Sequence, residues 1–272
     1  MAINDEIREQ RKKLKGKGIR AHLAWFWEYE KVPTLITVLV GGLVISLIYH
    51  YATYKPYVFG TMFLNASVQD TQQEDLSADF MEYADIDAGQ SDVFADLSEI
   101  LTPGNSSSSE YDMYAIQKIM AETAAGQIDV AVMDAWYFNH YAYNGEFKDL
   151  REVLDADTLK KYEDRFYYID RTKAVAMQDA QDDKEGTDTA AADSTDAEDD
   201  EAAARAFEKQ ESFVNPDPAD MDDPVPVGII CTDAPYIQRN GNYPDTVCIY
   251  GIVANTKHPE TCQQFLEYLF EK

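Results

Sequence analysis

Two stretches of this chain set a carboxylate beside aromatic rings directly after an apolar run. Asp134, Trp136 and Tyr137 follow Ile128–Met133, while Asp233, Tyr236 and Arg239 follow Val227–Thr232. Open α/β sheets bind ligands in a crevice at the carboxyl ends of their strands. Aromatic rings beside a few polar groups are what small-solute sites use. Asp134, Trp136, Tyr137, Asp233 and Tyr236 are therefore the candidate ligand-binding residues. They also have a plainer use: Asp134 suits a helix cap, Trp136 a place in the core, and Asp233-Ala-Pro-Tyr236 a turn.

No other arrangement suggests chemistry. The chain has no phosphate-binding loop, H-E-x-x-H, G-x-S-x-G, S-x-x-K or C-x-x-C sequence, and His22, His50, His140 and His258 are scattered. Asp85 and Asp87 form a D-x-D pair, a chance-level event among 50 acidic residues. The expectation is no enzyme, no cofactor and no metal site. Cys231, Cys248 and Cys262 lack metal-ligand spacing. Cys231 and Cys248 bridge if their two apolar runs pair as strands; otherwise all three are buried thiols. Asn65-Ala-Ser67 and Asn105-Ser-Ser107 match the glycosylation sequon and read equally as loop residues.

The frame for these residues is set by charge. Residues 32–54 carry no Asp, Glu, Lys or Arg, and twenty-three residues at ~1.5 Å each make a helix of about 34 Å, enough for a ~30 Å bilayer core. The run is longer than a secretory signal core, and no Ala-x-Ala site follows it. Residues 1–31 hold eight basic and five acidic side chains, a net of +3. With -27 on the whole chain, −30 falls on residues 55–272. The positive-inside bias then predicts a cytoplasmic leader over 1–31, a transmembrane helix over 32–54 and an extracytoplasmic domain over 55–272 in a plasma membrane. Trp25, Trp27 and Tyr29 mark one interface, and Tyr49, Tyr51, Tyr54 and Tyr57 the other. Such an acidic domain repels nucleic acid, so none is expected as a partner.

Within the outer domain, Tyr57–Ala66, Asp92–Ser98 and Ile128–Met133 read as strands, separated by helices over 71–84 and 109–124. In the second helix Met113, Ile116, Met120 and Ala124 form one apolar face. Residues 135–166 read as helical with a break at Gly145. Val225–Thr232 and Thr246–Asn255 read as further strands before a last helix opened by Pro259. The βαβαβ order predicts an α/β domain with a mixed, mostly parallel sheet. Residues 179–223 hold 17 acidic and three basic side chains, too polar to offset ordering entropy, and read as a disordered insertion.

Three segments carry a family resemblance. Ala125-Gly-Gln-Ile-Asp-Val-Ala-Val-Met-Asp134, an aromatic helix and Gly145-Glu-Phe-Lys-Asp-Leu150 resemble extracytoplasmic solute-binding proteins of the type 2 periplasmic-binding fold. Gly251-Ile-Val-Ala-Asn-Thr-Lys-His-Pro-Glu260 is similar to that family's approach to its terminal helix. Such proteins have two lobes around a cleft; the 218 residues from 55 to 272 suffice for one. The resemblance implies a solute-binding or sensing module, which the expected anchor would tether to the membrane. The alternative is a structural or interaction subunit of a cell-envelope complex, partnered by protein rather than solute.

Overall fold

The computed structural model describes residues 18–20, 26–27, 31–101, 110–185 and 212–272. The chain forms two units, Met1–Tyr54 and Lys55–Lys272. In the first, helix α1 spans Lys31–Thr53 with none of its residues buried, and it is long and apolar enough to cross a membrane. The Thr37 and Thr53 hydroxyls donate to the carbonyls of Pro33 and Tyr49, four residues back, so these polar groups are satisfied within the helix.

The second unit is a six-stranded sheet between two helical layers. Its strands are β1 (Tyr57–Leu64), β2 (Asp92–Asp96), β3 (Val130–Asp134), β4 (Phe166–Asp170), β5 (Pro224–Ile230) and β6 (Cys248–Ile252), in the order β2-β1-β3-β6-β5-β4. β1 runs parallel to β2 and β3, whereas β6 is antiparallel to β3 and β5, and β4 is antiparallel to β5. The sheet is mixed, as expected, but it is only partly parallel: three of its five strand pairings are antiparallel. Only the first half of the domain uses helical crossovers; after β5 the chain turns back and enters beside β3 in the opposite sense.

Residue alternation divides the sheet into two buried faces. Phe59, Phe63, Val132 and Tyr250 face a layer containing α2 (Gln72–Tyr83) and α9 (Pro259–Glu271), whose Phe80, Phe265 and Leu269 complete one core. Met62, Met133 and Ile249 face a second core with α3 (Glu110–Ala124), α4 (Ala135–Tyr143) and α7 (Arg171–Glu185). Two cross-strand-paired glycines, Gly228 and Gly251, form a flat floor for Phe138 of α4. A Cβ at either position would come within 2.6 Å of that ring. Phe147 stacks on Phe138 with centroids 4.4 Å apart.

Three expectations about elements are corrected. Helix α3 buries Asp112, Ala115 and Ile119, while Met113 and Met120 are exposed: the helix has apolar residues on two sides, and the side with Ala115 and Ile119 is the buried one. The stretch 135–166 is broken in more places than Gly145. It contains α4, then α5 (Leu150–Val153) and α6 (Ala156–Lys161), and it runs straight into the unanticipated strand β4. Phe166-Tyr-Tyr-Ile169 is made of residues that favour strands. The segment 179–223, expected to be disordered throughout, is structured at both ends. α7 continues to Glu185, and the Asp222 and Asp223 amides donate to the Asp170 carboxylate at 3.2 and 3.3 Å. Residues 186–211 lie outside the described residues, as do the sequon at Asn105 and most of the basic leader.

Candidate functional site

β1, β3 and β5 point the same way, so their carboxyl ends share one edge of the sheet. Asn65 leaves β1 with φ 58, in the left-handed region that Asn tolerates better than most residues. Its side-chain amide donates to Asp134 at 2.8 Å, while its carbonyl accepts from the Leu101 amide at 2.6 Å. Asp134 ends β3 and caps α4, accepting from the Trp136 and Tyr137 amides at 3.1 Å each. Asp is a strong N-cap because its carboxylate satisfies amides that lack a helical partner. Burial pushes the Asp134 carboxyl above the usual carboxylate range despite these hydrogen bonds.

The crevice between β1 and β3 is closed by the chain itself. After β5 the loop 231–247 contains α8 (Pro235–Asn240), then Asn242 and Tyr243, both buried. The Tyr243 hydroxyl lies 2.9 Å from the carbonyls of Leu64 and Val132. Asn242 exchanges hydrogen bonds with Gln72 and donates to the Ser67 carbonyl.

The five expected binding residues share this edge but not one surface. Tyr137 is buried, and Trp136 packs beside it on the α4 side. Tyr236 is buried in the opposite core, with Phe63 and Tyr268 as ring neighbours. Asp233 is exposed and makes a two-pronged ion pair with Arg165, at 2.5 and 3.0 Å. Tyr236 and Arg239 do line a polar cavity of about 310 Å³, together with Gln72, Asp75 and Asp79. Sequence reasoning missed Asn65, Gln72, Asn242 and Tyr243; the available signal was Asn directly after a strand and the Gly241-Asn-Tyr-Pro turn.

The motifs that carry the resemblance meet at the opposite end of β3. Asp129, 2% exposed, accepts from the Gly60 amide at 2.9 Å, the Thr256 hydroxyl at 2.5 Å and His258 Nδ1 at 3.1 Å. A carboxylate orienting an imidazole would suit general-base work if a nucleophile were near. The neighbouring thiol, Cys262, instead contacts Thr256 Oγ1 and the Asp129 carbonyl, and burial raises its pKa to about 12. It therefore stays protonated and inert near neutral pH. Among the described residues, no three His, Cys, Asp or Glu side chains gather as metal ligands.

A second cavity, of about 320 Å³, opens between α3 and the sheet. Met62, Ile119, Met120, Ala131, Met133 and Phe147 make it apolar; Tyr141 and Glu146 bring a hydroxyl and a carboxylate to it. Burial and the nearby Glu146 charge raise the Tyr141 hydroxyl to about 12, so it remains a neutral donor.

No family model matches the chain, and no curated protein matches it. Among solved structures, that of the periplasmic binding protein P5PA is a weak likeness. It is 13% identical, 80% of each chain is covered, and the TM-score is 0.29.

Proposed function

We propose that the chain is a single-pass plasma-membrane protein with a cytoplasmic amino terminus, and that its outer α/β unit is a non-catalytic binding module. The apolar cavity beside α3 carries the binding reading. It is the size of a small-molecule site, mostly hydrophobic, with a few convergent polar groups. An apolar ligand bearing a cationic or hydrogen-donating group matches it, the donor facing Glu146. In this reading the strand-end residues Asp134, Trp136, Tyr137 and Tyr236 hold the fold's edge closed, and Asp233 anchors the loop through Arg165. The flank charges support the orientation.

A second reading, an interaction subunit of a cell-envelope complex, is favoured by α3, which leaves Tyr111, Met113, Tyr114 and Met120 exposed in one helix. Exposed apolar surface of that kind marks protein contacts. Titration of residues 55–272 with the neutral apolar fluorophore N-phenyl-1-naphthylamine tests the first reading. Saturable binding is expected, weakened at least about tenfold by Ala124→Trp at the cavity lining, a loss of about 1.4 kcal/mol, with an unchanged circular dichroism spectrum. Equal binding by both proteins, or none by either, removes the cavity as the site and shifts the conclusion to the interaction subunit.

A further inference from the structure

Cys231 and Cys248 are both 0% exposed, and their sulfurs are 3.6 Å apart. Ile230 pairs with Ile249 across β5 and β6, so the two cysteines stand directly opposite one another in the next step of the ladder. The Cys231 amide donates to the Cys248 carbonyl at 3.0 Å. Directly opposed residues in an antiparallel pair have Cα atoms ~4.5–5.5 Å apart, within the ~4.4–6.8 Å that a disulfide spans.

The third cysteine is out of reach. Cys262 touches the carbonyl of Asp129, whereas Cys248 lies opposite Asp134, five residues further along β3. At ~3.3 Å per strand residue that is a separation of about 16 Å. The tertiary structure thus selects one of three pairings.

We propose that Cys231 and Cys248 form a disulfide that fastens the loop 232–247, with Asn242 and Tyr243, over the strand ends, leaving Cys262 as a thiol. Formation in the cell rests on the outer, oxidising placement proposed above. The oxidant is a disulfide of the glutathione class. One cysteine thiolate attacks its sulfur and expels a glutathione thiolate; the second then attacks the mixed disulfide and expels the other. Two protein thiols are oxidised, and one glutathione disulfide becomes two thiols. The exchange occurs while the chain folds, before the sulfurs are buried.

The full chain in detergent, refolded in a buffer of oxidised and reduced glutathione, is then denatured and alkylated. One labelled cysteine is expected, rising to three after reduction, with peptide mapping linking 231 to 248. Three labels before reduction, or a bond to Cys262, would overturn the pairing. The bonded chain should unfold at higher urea than the reduced one, with a folding constant roughly a hundredfold larger for a loop of this length. Cys231→Ala with Cys248→Ala should show no response to reductant. Equal midpoints for bonded and reduced chain would overturn the fastening role. In cells quenched with acid and alkylated, the same bond is expected. A bond that forms in glutathione but not in cells upholds the pair and overturns the outer placement.

Discussion

Asn65 and Asp134 show how a residue chosen for chemistry can be committed to architecture. One carboxylate oxygen holds the first turn of α4, the other accepts from Asn65, and Asn65 in turn holds the chain after β2 through Leu101. Asp134→Asn would turn a donor toward the Asn65 donor and leave buried groups unpaired, a cost of about 1–3 kcal/mol. Adding Asn65→Asp restores an acceptor opposite the new amide, and Asp tolerates the left-handed backbone. Urea unfolding of residues 55–272 should therefore show the exchanged pair more stable than either single variant. Additive losses would mean that the two side chains do not act together. The cap was legible in the sequence, as Asp directly before a helix; its partner Asn65 was not, because the two lie 69 residues apart.

At the scale of elements, hydrophobic pattern located most strands and helices but not the side each helix presents. α3 has apolar residues around much of its circumference, and only burial in the core that also holds Met62, Ala131 and Met133 determines that Ile119 turns inward while Met113 turns out. β4 was hidden because four strand-favouring residues sit directly between helical signals, and an edge strand needs only β5 as its partner. Gly60 makes the clearest demand on sequence: a Cβ there would lie 1.6 Å from the Gln127 carbonyl oxygen, on backbone that cannot turn aside. Gly60→Ala should cost more than the about 1–3 kcal/mol usual for overpacking a core. Chemical denaturation that left the midpoint unchanged would disprove this close approach of β1 to the α3–β3 turn.

At the scale of the whole molecule, a helix of 23 residues that is free of charge after Lys31 and a self-contained α/β unit divide the chain. The proposed orientation is checked in intact cells of a Cys231→Ala, Cys248→Ala, Cys262→Ala chain with a membrane-impermeant maleimide. A cysteine placed at exposed Lys160 should label, and one at Lys13 should label only after the membrane is opened. The reverse pattern would place the acidic unit inside. By itself the sequence determined the anchor-length helix, the α/β class and most elements, because these follow from local periodicity and charge. Only the tertiary structure decided the mixed strand order, the closure of the strand ends by Tyr243, the open cavity beside α3 and which cysteines face each other. Each of those depends on contacts between segments far apart in the chain, where no local pattern reaches.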